Sequence, residues 1–312
     1  MPPKPDDLTV AHYRPEDAQE WLRLTNSMRK HPLSLEQFIQ RETSDARPTI
    51  LARLVCKGGD IAVAIGQLTS SPYVPEGFAR LEMVVSTNFR CAGIGSTLLE
   101  ALEREAKRQK LSGIYSEIAD PYSNSLRWLR ARGFKASKSR RESRLVLSDH
   151  MSFELPNPCL PVAFRIVSLR ASKLSQAQFL QFIADRLKET PDLAGLPAWS
   201  VDQLEAIFLK NPAAREDWIL VAMATDQPIG VGVIHEQGQD AYIYFVGVES
   251  QYRALSVGTA ILSHLIEKAK LCRFRAVNID NLDSNTAALR LTEKLGFTPL
   301  RTRLELRKTL SP

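Results

Sequence analysis

Long apolar runs are missing from this sequence. No stretch reaches the roughly 18 consecutive apolar residues of a transmembrane helix, so no membrane span is expected. The opening segment, Met1-Pro-Pro-Lys-Pro-Asp-Asp, has no apolar run either, which argues against a secretory signal. Cysteine is scarce: Cys56, Cys91, Cys159 and Cys272 stand apart without CxxC spacing. Scattered thiols of this kind suit a reducing cytoplasm rather than a disulfide framework. The histidines at positions 12, 31, 150, 235 and 264 make no metal-ligand spacing, so no metal is expected. There is no G-x-S-x-G and no Cys-His signature for hydrolysis. Gly (15) and Pro (18) are too few among 312 residues for a low-complexity or collagen-like chain.

The remaining composition, 44% apolar and 24% charged, is that of a soluble globular protein. At about 150 residues per domain, the length suggests two domains. The net charge of +6 is unevenly spread: residues 1–150 hold 23 Lys and Arg against 18 Asp and Glu, the remainder 18 against 17. One stretch, Arg127 to Arg144, has eight basic residues and a single acid, Glu142. It reads either as a patch for phosphate or another anion, or as a solvated helix face with a loop. Only Trp128 and Phe134 interleave with these cations. A nucleic-acid groove needs more stacking residues, so no nucleic-acid partner is expected.

An internal repeat organises the chain. Phe89-Arg90-x-x-Gly93-Ile94-Gly95 recurs as Tyr252-Arg253-x-x-Ser256-Val257-Gly258, an offset of 163. Gly133-Phe134 recurs as Gly296-Phe297 at the same offset. Between these anchors Leu98, Leu102 and Ala106 coincide with Ile261, Leu265 and Ala269. Two anchors at one offset indicate a duplicated domain. The expected domains are residues 1–150 and 163–312. The expected connector, 151–162, contains Pro156, Pro158 and Pro161 and is stiff and extended.

Each copy reads in the same order. In the first, strands are expected at Leu8–Tyr13, Ile50–Val55, Ile61–Leu68, Phe78–Val85, Ile114–Ile118 and from Phe134. Helices are expected from Pro15, at Leu33–Thr43, at Gly93–Lys110 and at Asn124–Arg132. The second copy gives strands at Phe164–Leu169, Trp218–Ala224, Gly230–His235, Ala241–Val248 and Ala276–Ile279. Its helices fall at Leu174–Leu187, Val201–Leu209, Ser256–Lys270 and Asn285–Leu295. Antiparallel strands combined with one strand-helix-strand crossover make each copy a mixed α and β unit.

The chemistry lies at the turn Val85-Ser-Thr-Asn-Phe-Arg90-Cys91-Ala92-Gly93-Ile94-Gly95-Ser96, where a strand gives way to a helix. The first N–H groups of a helix have no internal partner, and the helix dipole adds positive charge. Phosphate fits such an end, and Gly lets the backbone approach it. An ordinary Gly-containing turn is the plainer reading of one copy. A dinucleotide fold is disfavoured, because the motif lies behind several strands instead of opening the chain. The absence of Gly-Lys-Ser/Thr excludes a P-loop.

With these residues in place, both copies resemble the GNAT superfamily of acetyl-CoA-dependent N-acetyltransferases. The likeness rests on the R-x-x-G-x-G/A loop and on Asn285-x-x-Ala288-x-x-Leu291-Thr292-x-x-x-Gly296-Phe297, similar to the family's N-x-x-A-x-x-L-Y-x-x-x-G-F. The tandem arrangement is similar to that of mycothiol synthase-like two-domain members. The resemblance implies an α+β fold of two GNAT-like domains, each a central mixed sheet flanked by helices. It implies acetyl-CoA as co-substrate and a small-molecule or peptide amine as acceptor. The loops Arg90 to Ser96 and Arg253 through Ser256, Val257 and Gly258 to Thr259 would hold the pyrophosphate. Val85 and Val248 would pair with the pantetheine amide. The amide of Met83 or Val246 would polarise the thioester carbonyl. Asn285 would meet the pantetheine arm or the acceptor.

Three positions depart from the pattern. Ser256 replaces a loop glycine. The family's proton-donating tyrosine is Leu129 in one copy and Thr292 in the other, leaving Thr292 as a candidate. The family's glutamate base, eleven residues before the loop arginine, falls on Ala79 and Tyr242. Tyr242 could serve as acid or line the acceptor site, as could Tyr244. Other strand-end carboxylates are Glu117, Asp120, Asp280 and Asp283, while Glu82 faces away from Met83 and reads as a surface residue. The Pro191–Trp199 loop lies where the family shapes its acceptor pocket. Cys91, beside a helix start, is a candidate for an activated thiol or a passive loop residue. Two functions stay open: an acetyl-CoA-dependent N-acyltransferase, or an acyl-CoA-binding regulatory protein that has lost the chemistry.

Overall fold

The computed structural model describes residues 8–29, 32–43, 48–71, 73–119, 123–147 and 160–311. The first copy runs β1 (Leu8–His12), α1 (Ala18–Asn26), α2 (Leu35–Glu42), β2 (Thr49–Gly58), β3 (Ile61–Ser70), β4 (Phe78–Val85), α3 (Ile94–Arg108), β5 (Gly113–Ile118), α4 (Asn124–Arg130) and β6 (Lys135–Val146). The second runs β7 (Phe164–Ser168), α5 (Leu169–Ser172), α6 (Gln176–Lys188), α7 (Val201–Phe208), β8 (Ala214–Ala224), β9 (Gln227–Gln237), β10 (Asp240–Val248), α8 (Val257–Leu271), β11 (Ala276–Leu282), α9 (Thr286–Lys294) and β12 (Thr298–Thr309). This is the expected order, with α5 added. Most of the expected Pro-rich connector lies outside the described residues.

Local chemistry explains the elements. Ser34, Ser175 and Ser200 each cap a helix and pair reciprocally with a glutamine three residues on, closing capping boxes. Along α3, Ile94, Leu98, Leu102 and Ala106 form the apolar stripe and are all buried. The repeat also appears in the backbone. Left-handed φ values occur at Cys91 and Ala254, Gly93 and Ser256, Lys110 and Arg273, and Gly133 and Gly296, four pairs at the 163-residue offset.

Two compact units result, and their membership crosses the boundary expected from the repeat. Unit 1 holds the chain to Ile118, Ser123–Ser137 and the residues from Glu305 onward; unit 2 holds Lys138–Leu304. The units are therefore not the contiguous segments 1–150 and 163–312. The reason is that β6 and β12 are each 12 residues long, enough for one end to belong to each unit. In unit 1 the strand order is β1-β2-β3-β4-β5 and then the end of β12; in unit 2 the start of β12 is followed by β6-β11-β10-β9-β8-β7. Unit 1 is tied to its distant strand by Leu310, whose N–H donates to the Ser112 carbonyl (2.9 Å), and by Lys308 on Glu103 (2.5 Å).

Both units contain one parallel pair that stops short. β4 pairs with β5 only from Phe78↔Gly113 to Arg80↔Tyr115, and β10 pairs with β11 only at Ala241↔Val277 and Tyr242↔Asn278. Beyond these points the remainder of β4 and of β10 lies outside the parallel register. The two copies differ in the register that follows. β4 matches β3 without interruption from Arg80 to Val85, whereas β10 shifts register against β9 between Ile243 and Phe245. Tyr244 is the extra residue of a β-bulge.

The bulge changes which side chains share a face. Before it Ala241 and Ile243, and after it Val246 and Val248, pack with α8. Tyr244 and Phe245 both pack with α6 and α7. In unbulged β4, Met83 lies towards α3, against Leu98, Leu102 and Gly66. Val84 lies on the opposite face with α1 and α2. Alternation then puts Arg80, Glu82 and Val84 together. Tyr242 therefore corresponds by face to Arg80 and not to Ala79. The equivalence of Ala79 and Tyr242, taken from the constant offset, is corrected by one inserted residue.

Candidate functional site

Each unit has a cradle of backbone N–H groups at the start of a 15-residue helix. In unit 1, Ser96 and Thr97 donate to the Gly93 carbonyl at 2.8 and 3.1 Å. Within the described residues, the N–H groups of Cys91 to Gly95 find no backbone carbonyl. The same holds from Ala254 to Gly258, with Ala260 bonding to the Ser256 carbonyl at 3.0 Å. Left-handed residues stand at Cys91 and Gly93 and again at Ala254 and Ser256, the kind of loop that forms anion-binding concavities from its N–H groups. A Cβ built on Gly93 meets no atom within 4 Å, so the cradle is open there. Ser256 takes φ +62, close to the +79 of Gly93. The serine therefore preserves the cradle's backbone at some cost in strain.

The loop arginines brace the cradles in the same way. Arg90 Nε donates to the Val85 carbonyl at 3.2 Å, and Arg253 Nε to the Val248 carbonyl at 3.0 Å. Each arginine thus ties its loop to the end of the preceding strand. Val85 also lies 3.6 Å from a Cβ placed on Gly95, and Val248 lies 3.7 Å from one on Gly258. Met83 sits opposite Gly66 and Val246 opposite Gly232. The positions expected to meet pantetheine and thioester thus lie on the strand segment beyond the parallel pairing. The cradle residues Ile94 and Val257 are buried core anchors, and Cys91 is exposed.

Unit 1 adds a second cation. Arg132 Nη2 donates to Ser96 Oγ, and its guanidinium lies 4.1 Å from the Trp128 ring centroid. Leu295, buried in the core, occupies the corresponding place in unit 2. The rest of the basic stretch is not one patch. Arg140 meets Asp192 and Asp280, Arg141 meets Asp283 and Glu293, and Arg144 meets Asp240. Strand alternation and pairing consume these charges within unit 2.

Among the described residues the strand-end carboxylates Glu117, Asp280 and Asp283 are paired with arginines. Glu117 lies 3.3 Å from Arg80, and Asp120 is outside the described residues. Asp280 accepts from Tyr242 Oη at 3.0 Å and from Arg303 at 2.6 Å, with Arg140 at 3.4 Å. Burial, reinforced by Asp280, raises the Tyr242 phenol above the ordinary tyrosine range. Tyr242 is thus a neutral, oriented hydroxyl rather than a base. Glu82 is exposed and accepts from Gln67 Nε2 at 2.7 Å, on the face opposite Met83 as expected.

Two expected catalytic side chains are occupied elsewhere. Asn285 caps α9, its Oδ1 accepting from the Ala288 N–H at 3.3 Å while its Nδ2 donates to Asp192. Its side chain therefore pins a loop. Thr292 is buried, and its hydroxyl donates to the Leu289 carbonyl at 2.9 Å, an ordinary helix-interior bond.

Sequence reasoning passed over Asp192, His235 and Glu189. Asp192 lies in the Pro191–Trp199 loop and holds it against β11 and α9. His235 is buried and stacks on Tyr244 at 4.0 Å, and burial pushes its pKa down to about 4. Trp199 and Phe208 complete this aromatic face, with centroids 6.3 Å apart. The only sequence signal was the position of the loop between two early helices. Glu189 carried none.

Comparison with known proteins now bears on the geometry. Residues 16–134 and 180–297 each match the acetyltransferase (GNAT) family, one match per copy. The chain belongs to the acetyltransferase (GNAT) family. Solved GNAT structures share the tandem fold. A GCN5-related N-acetyltransferase from Sphaerobacter thermophilus aligns over 99% of this chain and 98% of its own, at 18% identity and TM-score 0.73. A tandem GNAT protein from the clavulanic acid biosynthesis pathway aligns over 98% and 99%, at 15% identity and TM-score 0.72. A putative acetyltransferase from Pyrococcus horikoshii aligns over 98% and 90%, at 15% identity and TM-score 0.61. GNAT proteins generally use acetyl-CoA as co-substrate. Among the described residues there is no metal-binding cluster and no helix long and apolar enough to cross a membrane.

Proposed function

We propose that the chain is an N-acetyltransferase that moves an acetyl group directly from acetyl-CoA to the amine of a small molecule or peptide. One observation carries this reading. In each unit a cradle of N–H groups without backbone partners directly follows a parallel strand pair that separates ahead of it. The cradle takes the pyrophosphate, and the freed strand segment offers backbone groups to the pantetheine and the thioester. The neutral amine attacks the carbonyl carbon. The C–N bond forms, the C–S bond breaks, the CoA thiolate leaves, and the nitrogen gives up its proton to the thiolate or to solvent. With a thiol pKa near 8.5, the thiolate leaves readily without a dedicated acid, so loss of the family's tyrosine slows the step without abolishing it.

A second reading, acyl-CoA binding without transfer, is favoured by the arginine-paired state of Glu117 and Asp280. The two are separated by following thiol release from acetyl-CoA across a panel of primary amines, alongside calorimetric titration. Transfer predicts amine-dependent thiol release that falls when Gly93→Glu or Gly258→Glu blocks a cradle. Binding of acetyl-CoA with no release for any amine would leave the second reading. Absence of binding would remove both.

A further inference from the structure

The two cradles also differ in what meets the loop arginine. Arg90 and Arg253 make the same Nε bond to a strand carbonyl, so their guanidinium groups are held alike. The Nη2 atoms then meet different partners. Arg90 Nη2 lies 3.8 Å from the Met28 sulfur, an uncharged contact. Arg253 Nη2 donates to Glu189 Oε2 in an ion pair. Met28 follows α1, and Glu189 is the C-cap of α6, so each contact comes from the chain just beyond the first long helix of its unit. Glu189 is fixed from its other side too, because Arg186 Nη2 donates to its Oε1 at 2.9 Å.

We infer that Glu189 is a built-in competitor for the anion of the unit 2 cradle, setting that cradle's affinity for CoA below that of unit 1. The inference rests on the acetyl-CoA reading of both cradles. A phosphate oxygen arriving at Arg253 meets a cation already neutralised by a carboxylate. It must displace Glu189 or bind beside a like charge, and either course costs affinity. Arg90 imposes no such cost, and Arg132 beside Ser96 adds a further cation to unit 1. Arg186 retains part of its claim on Glu189 throughout, so the carboxylate can leave Arg253 without being stranded.

The consequence is one tight and one weak CoA site, with Glu189 as the side chain that weakens the second. Reciprocal variants test it in the full chain, with CoA as the calorimetric probe. With unit 1 blocked by Gly93→Glu, a weak site should remain, and adding Glu189→Gln should tighten it about tenfold, or about 1.4 kcal/mol. The glutamine keeps an acceptor for Arg186. With unit 2 blocked by Gly258→Glu, Met28→Glu should weaken the remaining site about tenfold, and Met28→Gln should leave it unchanged. Met28 is 63% exposed, so this arm holds even if the Glu189 variant fails to fold. An unchanged affinity in either arm overturns the inference, as does loss of all binding in Gly93→Glu with and without Glu189→Gln. Those results leave acetyl transfer by unit 1 intact. Failure of the unmodified protein to bind CoA sinks the acetyl-CoA reading itself.

Discussion

Asp192 and Asn285 are joined across 93 positions of chain by a hydrogen bond of 2.5 Å, the amide nitrogen of Asn285 donating to Asp192 Oδ2. The other carboxylate oxygen accepts from the Leu282 N–H at 2.6 Å. One side chain thus fixes the Pro191–Trp199 loop to the end of β11 and the start of α9. Asp192→Ala leaves a backbone donor and a side-chain amide without an acceptor, which should cost about 1–3 kcal/mol. Urea denaturation should show the loss, and the Leu282 amide should exchange with solvent faster than in the parent.

Ser256 holds a left-handed conformation that costs a non-glycine residue about 1 kcal/mol. Ser256→Gly should therefore stabilise the protein by about that amount, and Gly93→Ala should destabilise it by a similar amount. Thermal unfolding of the pair reads both signs. A destabilised Ser256→Gly protein would mean that the hydroxyl contributes more than the strain costs.

Stability should fall on the acid side partly because of His235. Burial lowers its pKa to about 4 from an ordinary value of 6.5. Above pH 6.5 the imidazole is neutral folded or unfolded, and its contribution is complete. As pH falls from 6.5 to 4, the unfolded chain takes up a proton that the folded protein refuses, and about 3 kcal/mol is lost. His235→Phe should flatten this part of the stability–pH curve relative to the parent. Parallel curves would place the imidazole in contact with water.

No carboxylate among the described strand ends is free to take the amine's proton, and Tyr242 stays neutral. The acceptor must then lose its proton to solvent before attack. For an amine of pKa near 10.4, log kcat/KM should rise with a slope close to one between about pH 6 and 9. A plateau near neutrality would reveal a protein base.

Much of the fold was legible because the helices are strongly periodic and the Gly-Phe anchors repeat. The span Phe78–Val85 was read without error, and the 163-residue offset reappeared in four pairs of left-handed residues. The bulge at Tyr244 was not legible. Both repeat anchors lie on its C-terminal side, so an extra residue before them leaves the offset untouched while turning Tyr242 to the face of Arg80. The roles of Asn285 and Thr292 were also hidden. A cap and a helix-interior hydroxyl look the same in sequence as groups directed at a ligand. Nor could alternation show where β6 and β12 pair, since strand partners are set by contacts distant in sequence.

The late arrival of β12 in unit 1 bears on how the protein is made. A polypeptide leaves the ribosome from its N-terminus, and domains generally fold as units as they emerge. Unit 1 is not yet complete when its first residues emerge. Residues 8–137 emerge early, but the strand that finishes their sheet, with Lys308 and Leu310, comes last. During most of synthesis the nascent first half presents an unpaired edge, and such edges invite aggregation. A translation product that stops before Glu305 therefore lacks the strand end that completes the unit 1 sheet.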